Sequence, residues 1–179
     1  VDDVGYIVAT IGDAGFETLA SAINKAKAGD TITLLRDVTL SDILVIDKAI
    51  TLDGNGKTLT STAGRAINVA TEGQVTIKNL TIDAKGERAI NVITKPATLT
   101  IDNVTATAAN YTVNVASSAP NAVVTIKDST LNGLCTVNVA SAGANVTIDN
   151  STINCNDNNT TAGESYAALS LNKDAKGGK

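Results

Sequence analysis

The side chains best able to do chemistry recur at a fixed interval. Arg65, Arg88 and Tyr111 stand 23 residues apart, and Cys135 is next in line. Two guanidinium groups brought side by side repel unless they splay or share an anion, and the planar fork of each matches a carboxylate or sulfate. Tyr111, and Tyr166 further along, offer a face to a sugar ring. The plainer alternative is that both Arg are solvated and neutralised by Glu87 or Asp83. Close to them runs a column of amides at Asn68, Asn91, Asn114 and Asn138. These either meet a ligand or satisfy one another as a hydrogen-bonded ladder.

Composition removes several other chemistries. The 179 residues carry a net charge of −4 and no His, Trp or Met. Without His there is no Ser-His-Asp triad, no Cys-His dyad and no imidazole metal site. The acidic balance and the shortage of aromatic platforms argue against nucleic acid. No apolar run approaches the roughly 18 residues that would insert into a membrane. No cofactor is expected, except that Asp157 with Asn156 and Asn158 forms a loose cluster able to hold calcium, without the spacing of a loop motif. Cys135 and Cys155 are either two free thiols or one disulfide closing a loop of about 20 residues, worth roughly 3 kcal/mol if unstrained. Val1 follows no basic, then apolar, leader, so a signal peptide is expected to be absent or removed.

The elements that position these residues come from an internal repeat. Segments beginning AINVATEGQVTIKNLTIDA at Ala66, AINVITKPATLTIDNVTATA at Ala89, TVNVASSAPNAVVTIKDSTLN at Thr112 and TVNVASAGANVTIDNSTIN at Thr136 align with one another. Each holds three short alternating stretches, the pattern of strands half buried on one side. Ile67 and Val69 flank Asn68, Val75 and Ile77 flank Thr76, and Leu80 and Ile82 flank Thr81. Such strands cannot bury their faces as separate hairpins, but stacked coils can. The expected fold is all-β: a right-handed parallel β-helix, with three short strands per coil of about 23 residues and six to seven coils. The bend between the second and third strands falls on Asn79, Asn103, Asp128 and Asn150. Asn tolerates the left-handed backbone that such a bend favours, and stacked amides there form a structural ladder. Outward Thr recurs at Thr76, Thr100, Thr125 and Thr147, and at Thr81, Thr105, Thr130 and Thr152. Ice binding follows from a flat array of this kind, but Thr is also simply a favoured exposed strand residue.

Upstream the pattern loosens. Residues 44–46 and 50–52 occupy strand positions, and Asp53-Gly54-Asn55-Gly56 replaces the short bend. Leu19, Ala22, Ile23 and Ala26 recur at helical spacing, with Thr18 as N-cap and Gly29 as the stop. A strand over residues 6–10 and this helix form a cap, residues 1–29, closing the end of the solenoid. Residues 30–172 form the β-helix and residues 173–179 a polar tail or linker. The pattern stops after residues 169–171 with no second cap in view, which reads as an excerpt of a longer protein.

Together, Ile11-Gly-Asp, Thr18-Leu, Gly29-Asp-Thr-Ile, Leu34-Leu-Arg-Asp-Val-Thr-Leu40 and Ile50-Thr-Leu-Asp-Gly-Asn-Gly-Lys-Thr-Leu59 resemble the opening of pectate-lyase-like right-handed β-helix domains. The likeness is to those embedded in large bacterial surface proteins, and it covers nearly the whole chain. It implies an extracellular or cell-surface setting and an asparagine ladder at the short bend. In carbohydrate-active relatives, it implies catalysis on the outer face of the first sheet, through clustered carboxylates or Asp-bound calcium with an Arg or Lys base. The matching column here is Val45, Asn68, Asn91, Asn114, Asn138 and Ser170, with no Asp, Glu, Lys or Arg. The paired carboxylates of glycoside hydrolysis are therefore missing from it.

Three functions follow. The first is a non-catalytic, secreted or surface module, adhesin-like or polysaccharide-binding. The second is a polysaccharide lyase or hydrolase whose catalytic groups come from the variable turns. The third is a structural stalk with no ligand.

Overall fold

The computed structural model describes residues 6–156, 166–172 and 175–177. It opens with β1 (Ala9–Ile11), β2 (Ala14–Phe16) and α1 (Leu19–Lys25). Strand triplets then follow one another. The first is β3 (Thr31–Leu34), β4 (Val38–Leu40) and β5 (Leu44–Ile46); the second is β6 (Thr51–Asp53), β7 (Thr58–Ser61) and β8 (Arg65–Val69). In the next two coils the first two strands fuse, giving β9 (Gln74–Ala84) with β10 (Arg88–Val92), then β11 (Thr98–Thr107) with β12 (Tyr111–Val115). The fifth holds β13 (Val123–Lys127), β14 (Thr130–Gly133) and β15 (Val137–Val139). The last holds β16 (Asn145–Asp149), β17 (Thr152–Cys155) and β18 (Leu169–Leu171).

Each strand pairs in parallel with its counterpart one coil later, as Ile67 with Ile90 and Ile77 with Ile101. The result is a parallel β-solenoid of about five turns. One sheet contains β5, β8, β10, β12, β15 and β18 in that spatial order, and the other strands make a larger folded sheet. The six triplets meet the lower bound of the expected coil number, because six counterparts are separated by five turns. Alternation explains the interior. Ile67, Val69, Ile77, Ile90, Val92, Leu99, Ile101, Val113 and Ile126 are wholly buried and form a continuous aliphatic stack. Burying each such side chain stabilises by roughly 1.5–3 kcal/mol.

The bends work as the Asn positions imply. Asn79, Asn103, Asp128 and Asn150 have φ of 51°, 52°, 50° and 42°. One left-handed residue turns the chain in each of these coils; β9 and β11 run through it, whereas the fifth and sixth coils divide into two strands there.

The cap differs in detail from expectation. The strand expected over residues 6–10 instead starts at Ala9 and makes a hairpin with β2, turning at Gly12 with φ 54°. Gly12 admits the left-handed turn, so pairing shifts toward it. Both β1 pairings, to β2 and to β3, are antiparallel, which ends the parallel stack. Thr18 does cap α1, its hydroxyl accepting the Ser21 N–H at 3.1 Å. The helix ends at Lys25 rather than running to Gly29, and Lys48 Nζ donates to the Ile23 carbonyl at 3.0 Å. It packs Leu19, Ala22 and Ile23 over β1, β2 and β5. In the segment expected as a tail, Ala175 lies against the core and the Lys176 carbonyl accepts the Gly143 N–H.

Candidate functional site

The corner between the larger sheet and the six-stranded sheet carries the Arg column. Three backbone bonds fix its stacking. The Arg88 N–H donates to Gly64 O, the Tyr111 N–H to Glu87 O, and the Cys135 N–H to Asn110 O. Gly86 makes this close approach feasible, since a Cβ there would stand 2.1 Å from Ala63 O. Just past the corner, the Thr112 hydroxyl donates to Asn132 O and the Thr136 hydroxyl to Asn154 O, tying the six-stranded sheet to the end of the neighbouring strand.

On this frame Arg88 lies in register with Arg65 on one side and Tyr111 on the other. All three are half-buried. The Arg88 guanidinium carbon sits 5.3 Å from the Tyr111 ring centroid, a cation–π contact. Its Nη1 reaches Asn91 Oδ1 at 3.5 Å, while its Nε is buried with no hydrogen-bond partner. Asn110 Oδ1, one residue before Tyr111, is likewise buried and unpartnered. Among the described residues neither Arg makes an ion pair. Asp83 is taken by Lys85 at 2.6 Å, and Glu87 projects into solvent. The neutralisation by Glu87 or Asp83 weighed from the sequence is therefore not what the structure shows. The backbones of Arg65 and Arg88 are thus one strand spacing apart, about 4.8 Å, and neither side chain is in an ion pair among the described residues.

The Asn column lies beside this corner but does not form an open surface. Asn68, Asn91, Asn114 and Asn138 are in register and only 8%, 0%, 3% and 6% exposed. Asn91 Nδ2 donates to Asn68 Oδ1 at 2.9 Å, Asn114 to Asn91 at 2.5 Å and Asn138 to Asn114 at 2.7 Å. These amides are spent on one another, whereas Arg65, Arg88 and Tyr111 keep part of their surface exposed. Val45 and Ser170 continue the column and are the more exposed ends of it. Tyr166 is 36% exposed and lies just ahead of β18.

The ladder at the bend is equally concrete. Asn79 Nδ2 donates to Asp53 Oδ1 at 3.1 Å, Asn103 to Asn79 at 2.9 Å, and Asn150 to Asp128. No donor links Asp128 to Asn103, because a carboxylate only accepts. Burial pushes the Asp53 carboxyl up, but the Asn55 N–H, the Asn79 amide and Lys78 outweigh it and hold it below the ordinary value. An open depression of about 440 Å³ beside this ladder is lined by Asn55, Gly56, Asn79, Leu80, Thr81, Asn103 and Thr105. The Thr columns are straight, with Thr76, Thr100, Thr125 and Thr147 in register and Thr81, Thr105, Thr130 and Thr152 likewise.

Cys135 and Cys155 are free thiols, both half-buried, and Cys155 Sγ lies 2.9 Å from Leu134 O. The disulfide weighed from the sequence is not formed. Among the described residues no three His, Cys, Asp or Glu side chains converge as a metal site. The calcium cluster expected around Asp157 and Asn158 lies outside the described residues. Asn110 and Gly86 escaped the sequence reading. An orphaned acceptor depends on neighbours from other coils, and one Gly among variable turns carries no signal.

Comparison with protein-family models, with curated proteins and with solved structures finds no match to this chain. The fold alone defines its class: a parallel β-solenoid braced by stacked side-chain amides.

Proposed function

We propose that this chain is a non-catalytic β-solenoid module that binds an acidic polysaccharide along the corner carrying Arg65, Arg88 and Tyr111. Its setting is the bacterial cell surface or the extracellular space, as part of a longer adhesin-like protein. The observation that carries the reading is the pair of stacked Arg with no carboxylate partner among the described residues, beside an aromatic face and a buried, unpartnered Arg88 Nε. A uronate carboxylate placed over the two guanidinium groups offsets their charge and accepts from their solvent-accessible N–H groups. The Tyr111 ring then offers an apolar flank to the sugar.

Affinity electrophoresis through gels containing polygalacturonate, a sulfated glycan or a neutral glucan tests this, with polymer length followed in parallel. Retardation by the acidic polymers, reduced in Arg88→Ala and by added salt, with polymer length unchanged, supports the module. Shortening of the polymer replaces it with the lyase or hydrolase reading. A structural stalk is the second reading, favoured by two amide ladders that stiffen the solenoid along its length. It takes over if no polymer retards the protein.

A further inference from the structure

Cys155 ends β17 in register with Gly133, which ends β14 one coil earlier. Past Gly133 the chain folds back over β17. The Thr136 hydroxyl reaches the Gly133 carbonyl at 3.2 Å and also the Asn154 carbonyl, and the Asn156 N–H donates to Gly133 O at 2.7 Å. Cys135 belongs to this turn, and the Cys155 thiol lies against the peptide that leads into it, 2.9 Å from Leu134 O. Across a trans peptide a carbonyl oxygen stands about 3 Å from the next α-carbon, so Cys155 Sγ is within about 6 Å of Cys135 Cα. A disulfide spans such a gap once the two side chains turn about their Cα–Cβ bonds.

Both thiols are free and only half-buried, so each is open to a small reagent. The one hydrogen bond of the Cys155 thiol is the weak S–H donation to Leu134 O, which costs little to give up. The segment that a bridge encloses, residues 136–154, lies wholly within the described residues.

We propose that Cys135 and Cys155 form a redox latch. A low-molecular-weight disulfide converts the pair into an intrachain bridge that fastens the corner of the fifth coil to the sixth, and a thiol reductant opens it. One thiolate attacks a sulfur of the small disulfide, breaking its S–S bond and expelling one small thiol. The second thiolate attacks the protein sulfur of the mixed disulfide, forming the Cys135–Cys155 bond and expelling the other small thiol. The protein loses two hydrogens and the small disulfide takes them up as two thiols. Cys135 follows Arg65, Arg88 and Tyr111 in the corner column, but the latch is independent of the polysaccharide reading.

The test incubates the reduced full chain with oxidised glutathione and follows intact mass and thermal unfolding. The wild type is expected to become two hydrogens lighter, with Cys135 and Cys155 recovered in one cross-linked peptide after digestion. The Cys135→Ser and Cys155→Ser variants each stop at the mixed disulfide with glutathione, which shows that both thiols are reachable and that closure needs the pair. The bridged protein is expected to melt roughly 5–10 °C higher than the reduced one, and dithiothreitol reverses the rise. Wild type that keeps glutathione attached, stays unmodified or links to a second copy overturns the proposal. So does a bridge that closes but leaves the melting point unchanged.

Discussion

Arg88 is held by Tyr111 of the following coil, its guanidinium carbon 5.3 Å from the ring centroid, while its Nε remains buried without a partner. The ring orients the guanidinium plane but takes none of its in-plane donors. A flat cation so placed presents a fork, which an ammonium cannot reproduce. Arg88→Lys is therefore expected to keep the fold and the net charge yet weaken binding of a defined oligouronate about tenfold. Calorimetric titration of both proteins checks this, and equal affinity would mean that charge alone matters.

The buried amide ladder contributes to the stability of the six-stranded sheet. Asn91 is wholly buried, donates to Asn68 and accepts from Asn114. Asn91→Ala strands an acceptor on one side and a donor on the other, a loss of about 2–4 kcal/mol. Urea unfolding of the two proteins measures it. A loss below about 1 kcal/mol would show that water replaces the amide.

Asp128 is the fault in the ladder at the bend. It accepts from Asn150 but offers nothing to Asn103, and it sits at φ 50°, where Asn is at ease. Asp128→Asn completes the ladder and is expected to stabilise by about 0.5–1.5 kcal/mol. Thermal unfolding should rise by roughly 2–4 °C, and an unchanged or lower midpoint would contradict the account.

The charged column makes stability depend on pH at both extremes. The Asp53 carboxyl is held below its ordinary value: burial raises it, but the Asn55 N–H, Asn79 and Lys78 prevail. Its contribution is present above the unfolded value near pH 4 and is lost as the pH falls through the lower folded value. Lys127 is shifted the other way, its ammonium favoured by the hydrogen bond to Asp102 and then by that carboxylate's charge. That contribution is present below about pH 10 and is lost as the pH rises through the higher folded value. Melting curves across pH should fall on both sides, with Asp53→Asn flattening the acid limb and Asp102→Asn the alkaline one.

Much of this architecture is written in the chain. Asn68, Asn91, Asn114 and Asn138 mark the period, and the residues beside them alternate cleanly, so coils and bends follow from spacing. Alternation states which face a residue takes, not whether that face is open. Stacked amides in register shield one another, and so the Asn column proved buried. The Arg column was visible as a repeat, but its missing carboxylates and the orphaned Asn110 acceptor depend on partners from other coils. The alternation of Asp53, Lys78, Asp102, Lys127 and Asp149 needed the strand register to become evident, because the spacing between coils varies.

The account stands most directly on whether the stacked Arg pair takes an acidic sugar. Calorimetric titration of the full chain with a homogeneous oligogalacturonate, across a salt series and beside a neutral oligosaccharide of equal length, addresses it. Binding of the uronate alone, weakening steadily with salt and lost in the Arg65→Ala, Arg88→Ala double variant, is the predicted result. Equal binding of the neutral sugar, or uronate binding that survives the double variant, would contradict it.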